Sequence, residues 1–184
     1  MPIAINGSGT ITGVTDFDNS SVGRILNVSE VQITSTTTHN SNGSHTRFAA
    51  MDSTYTTQQT GSKVLVIFNF MASNDNTGGD ASVKLFRKIG SGTASEIYVN
   101  PSLVGGTTSA YLANFRGNGV YDGGVRNSFV ILDNPGHTAG DVLTYEHHWR
   151  TESVNNIRLN YGAQTADGRH GTAISTVMFL EVAA

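Results

Sequence analysis

The chain has 184 residues, a net charge of −3, and charged side chains at only 14% of its positions. That length suits one domain, or one domain with an arm, and a core of that size needs no metal or disulfide staple. The sparse, slightly acidic charge excludes a basic nucleic-acid footprint, and the absence of cysteine excludes disulfides, thiolate catalysis and cysteine zinc sites.

At the start, Ile3 and Ile5 alternate with small residues, and Thr10-Ile11-Thr12 follows an Asn6-Gly7 turn signal. The segment is too short to bury these side chains by itself. It either packs back on its own domain or lies on a neighbour. Residues 1–20 therefore read as an N-terminal arm, open to being swapped onto another subunit, with Ile3, Ile5, Ile11 and Val14 as its assembly contacts. Residues 21–184 read as a single β-sandwich domain. The opening Met1-Pro2-Ile3-Ala4-Ile5-Asn6 lacks the basic stretch and long apolar run of a signal peptide, so work outside a cell implies another exit, such as lysis.

Further on, Ile25 to Ile33 alternates cleanly and predicts a half-buried strand. Ser35 to Arg47 is polar and predicts a surface loop, and a strand is expected around Met51 to Tyr55. Lys63 to Met71 is apolar on both faces, which predicts a strand enclosed within a two-layer structure. Its apolar run is far shorter than the roughly 20 residues of a membrane span. Ser73 to Asp80 reads as a long turn, followed by strands at Ser82–Lys88, Glu96–Val99 and Tyr111–Phe115. Gly117 to Gly124 is a glycine-rich loop. Strands follow at Ser128–Asp133, stopped by Asn134-Pro135-Gly136, then at Asp141–Arg150, Asn156–Tyr161 and Ile174–Val182.

Lys and Glu, good helix formers, are scarce, while Ser, Thr and Asn, which compete with the helix backbone, are abundant. The expected fold is all-β: an antiparallel jelly-roll-like β-sandwich with an extended N-terminal arm.

Chemistry is poorly marked. No Gly-x-Ser-x-Gly elbow, phosphate loop or spaced carboxylate pair is present, so the chain reads as a non-enzyme. His147 and His148 are neighbours on an alternating segment and point to opposite faces, so they do not share one ion. His39, His45, His137 and His170 read as loop histidines. Asp75 and Asp80 offer oxygen ligands to calcium, but the EF-hand spacing is missing, and such side chains commonly cap their own backbone. No other cofactor is implied. Tyr121 and Tyr161 are the aromatic side chains placed to stack on a ligand such as a sugar ring.

The stretch Ser128 to Tyr145, with its strand, Leu132-Asp133-Asn134-Pro135 turn and Thr144-Tyr145 strand, resembles small tail-fibre-like and virion structural proteins of phages infecting aquatic bacteria. The ending Ser175 to Val182 and the opening Ile5 to Val14 are similar to the same group, whereas His137 departs from its usual small residue. The resemblance implies a jelly-roll-like domain in a homo-oligomer, and these motifs carry over no ligand-binding residue. The expected function is a non-enzymatic structural subunit of a phage virion or extracellular appendage, self-assembling into a tail-fibre-like trimer or a filament. A capsid decoration protein and a glycan- or receptor-binding module are the alternatives. Its expected partners are itself, capsid or tail proteins, or a cell-surface glycan, with neither nucleic acid nor membrane insertion. The terminal strand reads as closing its own domain, which leaves the arm as the segment for assembly.

Overall fold

The structure, a computed structural model, describes residues 4–5, 11–12, 24–41, 43–74, 77–97, 113–118, 125–151, 156–164 and 170–184. The strands β1 (Ala4–Ile5) and β2 (Ile11–Thr12) pair with each other, Ile5 opposite Ile11, as a small sheet of their own. Ile3 and Val14 lie outside the described residues.

The domain continues with β3 (Ile25–Ile33), β4 (Thr37–Asn40), β5 (Thr46–Arg47), a 3-10 turn at Ala49–Met51, and β6 (Ser53–Thr56). Two long strands follow, β7 (Lys63–Asn74) and β8 (Thr77–Ile89). After them come β9 (Ser95–Glu96), β10 (Ala113–Asn118), β11 (Val125–Asp133) and β12 (Val142–Thr151). The chain closes with β13 (Asn156–Leu159), β14 (Tyr161–Gln164), β15 (His170–Thr172) and β16 (Ser175–Val182).

All pairings among the described residues are antiparallel; β14 and β15 pair in a small sheet, and the remaining strands after β2 build two large ones. In the first, β16 lies between β3 and β7, and β11 covers the far side of β7. The short β13 and β4 extend the lines of β16 and β3. In the second, β12 lies between β6 and β8, β5 extends the line of β6, and β10 and β9 cover the far side of β8. Each sheet is thus four strands wide, ordered β3–β16–β7–β11 and β6–β12–β8–β10. Strands that follow one another in the chain mostly fall in different sheets, and this order is that of a jelly roll.

The core follows from two-residue periodicity. Val64, Val66, Phe68 and Phe70 of β7 point inward and meet Leu143, Tyr145, His147 and Trp149 of β12. Phe70 and Trp149 meet edge to face at 5.3 Å, and Phe68 lies edge-on to His147 at 4.7 Å. At one end of the fold, Gly136 after Pro135 takes φ 63°, where a side chain would be strained.

Several sequence expectations change. The segment 35–47 contributes β4 and β5 rather than running as a loop throughout. These are edge strands, so their outer residues stay polar and mimic a loop composition. Residues 49–51 form a 3-10 turn, and the strand expected there begins at Ser53. Of the segment 73–80 read as a turn, residues 73–74 belong to β7 and 77–80 to β8. Asn160 interrupts the strand read as 156–161. It takes φ 60°, and its amide donates to the carbonyls of Ile33 (2.7 Å) and Ser35 (3.0 Å) while accepting from Ser175 Oγ (2.6 Å). An Asn tolerates this backbone better than most residues and ties three segments together.

Candidate functional site

Polar chemistry in the described residues falls into two interior knots and two contrasting outer faces. The first knot is built on Glu181. Alternation along β16 sends Val177, Phe179 and Glu181 inward, so this acid occupies a core position. Its carboxylate accepts from Ser62 Oγ (2.5 Å), Tyr55 Oη (2.7 Å), and the backbone amides of Gln58 (2.8 Å) and Gln59 (2.9 Å). Burial works to raise the Glu181 pKa, but the hydrogen bonds from Ser62, Tyr55 and the two amides outweigh it and hold the acid below its ordinary 4.5. Burial and then the Glu181 contact push the Tyr55 hydroxyl well above its ordinary range.

This knot contains a serine, a histidine and a glutamate, yet it is wired as a lock. His137 Nε2 lies 2.9 Å from the Gln59 carbonyl and 3.1 Å from Ser62 Oγ. A carbonyl only accepts, so Nε2 carries the proton, and Ser62 sends its own proton to Glu181. His137 therefore does not serve the serine as a base, the Glu181 carboxylate is already taken up by four donors, and all three side chains are sealed from solvent.

The second knot joins the sheets. Asp133, at the end of β11, accepts from Arg87 Nη1 (2.5 Å) on β8 and from Tyr145 Oη (3.0 Å) on β12. Burial, then the neighbouring Asp133 charge, drives the Tyr145 pKa far up. The sequence marks Asp133 only as part of a turn and shows nothing of this tie.

The outer face of the β6–β12–β8–β10 sheet is polar and internally paired. Arg47 binds Asp52 and approaches Glu146 at 3.5 Å. His148 Nε2 lies 3.3 Å from Glu146, its ring stacked on Phe86 at 4.0 Å, and Lys84 pairs with Glu96 at 3.0 Å. His45 meets Ser82 at 3.2 Å, and burial followed by the nearby Lys84, Arg150 and His148 lowers its pKa to about 4. His39, on β4 rather than in a loop, stacks on Phe48 at 4.7 Å, and burial lowers its pKa.

The outer face of the β3–β16–β7–β11 sheet is the opposite. The register places Val28, Leu180, Leu65 and Leu132 in one row across all four strands. The adjoining row holds Glu30, Met178, Ile67 and Val130. Val28 is 55% exposed, and Val130 and Leu132 are each 58% exposed. Ile25, opposite Val182 at the end of the patch, is 54% exposed. An uncharged polar row of Gln32, Thr176, Asn69 and Ser128 borders it. Lys63 to Met71 is therefore covered by the second layer on one side only, and the outward side of the terminal strand is left open as well. Both corrections have one cause. An apolar run does not record whether its second face is covered by its own chain.

Among the described residues, those singled out from the sequence lie on separate elements. Ile5 and Ile11 pair within the β1–β2 hairpin. Asp80 lies in β8 opposite Arg116, while Asp75 and Tyr121 lie outside the described residues. Among the described residues, no three His, Asp or Glu side chains group as a metal would require. Tyr161 opens β14, with the Arg158 guanidinium 5.8 Å from its ring centre. His170 stands in β15 rather than in a loop. Sequence reading missed Glu181, Asp133 and the apolar face. The alternation Val177, Phe179, Glu181 was the available signal for the first.

No family model and no curated protein matches the chain. Among solved structures it is similar to the infectious bursal disease virus VP2 subviral particle, at 10% identity and a TM-score of 0.38, over 86% of this chain and 38% of that one. The infectious bursal disease virus Gx strain is matched at 10% identity and a TM-score of 0.38, over 89% of this chain and 38% of that one. The Gt strain follows at 12% identity and a TM-score of 0.28, over 87% of this chain and 43% of that one. The chain thus spans less than half the length of each. The class reached is a two-sheet, antiparallel jelly roll.

Proposed function

We propose that the chain is a non-enzymatic structural subunit of a phage virion or extracellular appendage, which works by assembling with itself. The observation that carries this reading is the apolar face across β3, β16, β7 and β11. A soluble single subunit rarely leaves two rows of large apolar side chains in water. The knots around Glu181 and Asp133 support it further, since their polar groups are spent on holding loops and sheets together. Two of the three segments that resemble phage structural proteins, 128–145 and 175–182, include most of β11 and all of β16, which help to build that face. In this reading Ile3, Ile5, Ile11 and Val14 form an arm that adds to a neighbour by strand pairing. A tail-fibre-like trimer and a filament are its two expected forms, and a capsid decoration subunit would use the same surface on a different support.

Negative-stain images and sedimentation of the full chain test this. Rings, trimers or filaments at micromolar concentration are the expected result. Monomers at every concentration would sink the proposal.

A further inference from the structure

We infer that the outer face of the β3–β16–β7–β11 sheet is where a second copy of this chain packs, sheet against sheet. The inference deepens the self-assembly reading above and rests on it. It names the surface and the occupant.

Size points to this occupant. Four strands at about 4.8 Å and some eight residues at about 3.3 Å give a face of about 500 Å². Two such faces pressed together bury about 1,000 Å², which reaches the lower bound for a specific contact between proteins and fits a reversible association of copies. Shape points the same way. A broad face with side chains in rows matches an identical face, as two sheets do about 10 Å apart in a sandwich. Charge weighs against a membrane. The face carries Glu30 on β3, Lys63 on β7 and Arg126 on β11. These few charges of both signs neither repel a like copy nor draw the face to an anionic membrane, which basic clusters would do. The apolar centre with its border of Gln32, Thr176, Asn69 and Ser128 has the anatomy of an interface core and rim. The other outer face lacks this character, because it is polar and carries ion pairs formed within one subunit, Arg47 with Asp52 and Glu146 and Lys84 with Glu96.

The chain has no cysteine, which allows a direct test. In the full-length protein, Val130→Cys should cross-link into covalent dimers with a short bis-maleimide, while Val142→Cys on the opposite outer face should not. Val130→Lys combined with Leu132→Lys should weaken association at least about 30-fold by sedimentation, as charges forced into an apolar interface do. Both positions are more than half exposed, so circular dichroism and thermal unfolding should match the parent protein. If the parent assembles and the double Lys variant assembles equally well, or if Val142→Cys cross-links and Val130→Cys does not, this face is not the contact. The self-assembly reading then stands without it. A parent protein that stays monomeric throughout would overturn both. Capture of the face by a different protein, with no cross-linking between copies, would overturn the choice of occupant.

Discussion

The two outer faces of this sandwich share a backbone plan and differ in what they ask of the surroundings. On the β6–β12–β8–β10 sheet, charged side chains find partners on neighbouring strands: Arg47 with Asp52 and Glu146, His148 with Glu146, Lys84 with Glu96. That face is finished within one subunit. On the β3–β16–β7–β11 sheet, the equivalent positions hold Val28, Leu65, Leu132 and Val130, which have no polar work to do and are only partly covered. The difference teaches that a jelly roll built by one alternation rule can have one outer face that is polar and paired and another that is apolar and open.

The largest effect should come from removing the charge that belongs to neither face. Glu181→Ala leaves Tyr55, Ser62 and two amides without their acceptor in a sealed site and should cost about 3–5 kcal/mol by denaturant unfolding. A loss under about 1 kcal/mol would show that the knot is incidental.

Acid should act next. His147 is fully buried, and burial lowers its pKa from 6.5 to about 3. The unfolded chain therefore binds a proton there below pH 6.5 that the folded chain refuses until about pH 3. Stability is complete above pH 6.5 and drains away as pH falls toward 3. Glu181, held below 4.5, adds a second loss as pH falls beneath that value. His147→Leu should make the first part of this acid limb shallower, the remainder coming from His45 and His39, whose pKa values burial also lowers, and leave the second part in place. An unchanged profile from pH 6.5 to 4.5 would refute the assignment.

Smaller effects separate the faces themselves. Arg47→Ala breaks exposed pairs and should cost less than about 1 kcal/mol, with assembly untouched. Val130→Thr should change the stability of the subunit by no more than about 0.5 kcal/mol, because the side chain is mostly in water already. If Val130→Thr destabilised the isolated subunit more than Arg47→Ala, the apolar face would be serving the fold rather than a partner.

The strands were legible wherever alternation was clean, as in Ile25–Ile33, Asp141–Arg150 and Ile174–Val182. Where the chain bends around one polar side chain, legibility failed. Asn160 reads as one more strand residue until its amide is seen to hold Ile33, Ser35 and Ser175. Glu181 was visible as an acid in a strand, but its role depends on amides more than 120 residues away in the chain. The open face was hidden for a different reason. Leu65 and Ile67 in Lys63–Met71 look the same whether a second layer or solvent lies above them.

The position of β16 also sets the order of events during synthesis. It enters between β3 and β7, pairing Val177 with both Val31 and Phe68. Until residue 175 has left the ribosome, β3 has no place in its sheet and the inward side of β7 lacks Phe179. Every subunit must hold these segments apart until its closing strand arrives, a long-range step that makes folding slow. Synthesis ahead of that step leaves the apolar strands β3 and β7 uncovered, so the rate of chain closure governs how long they stay exposed.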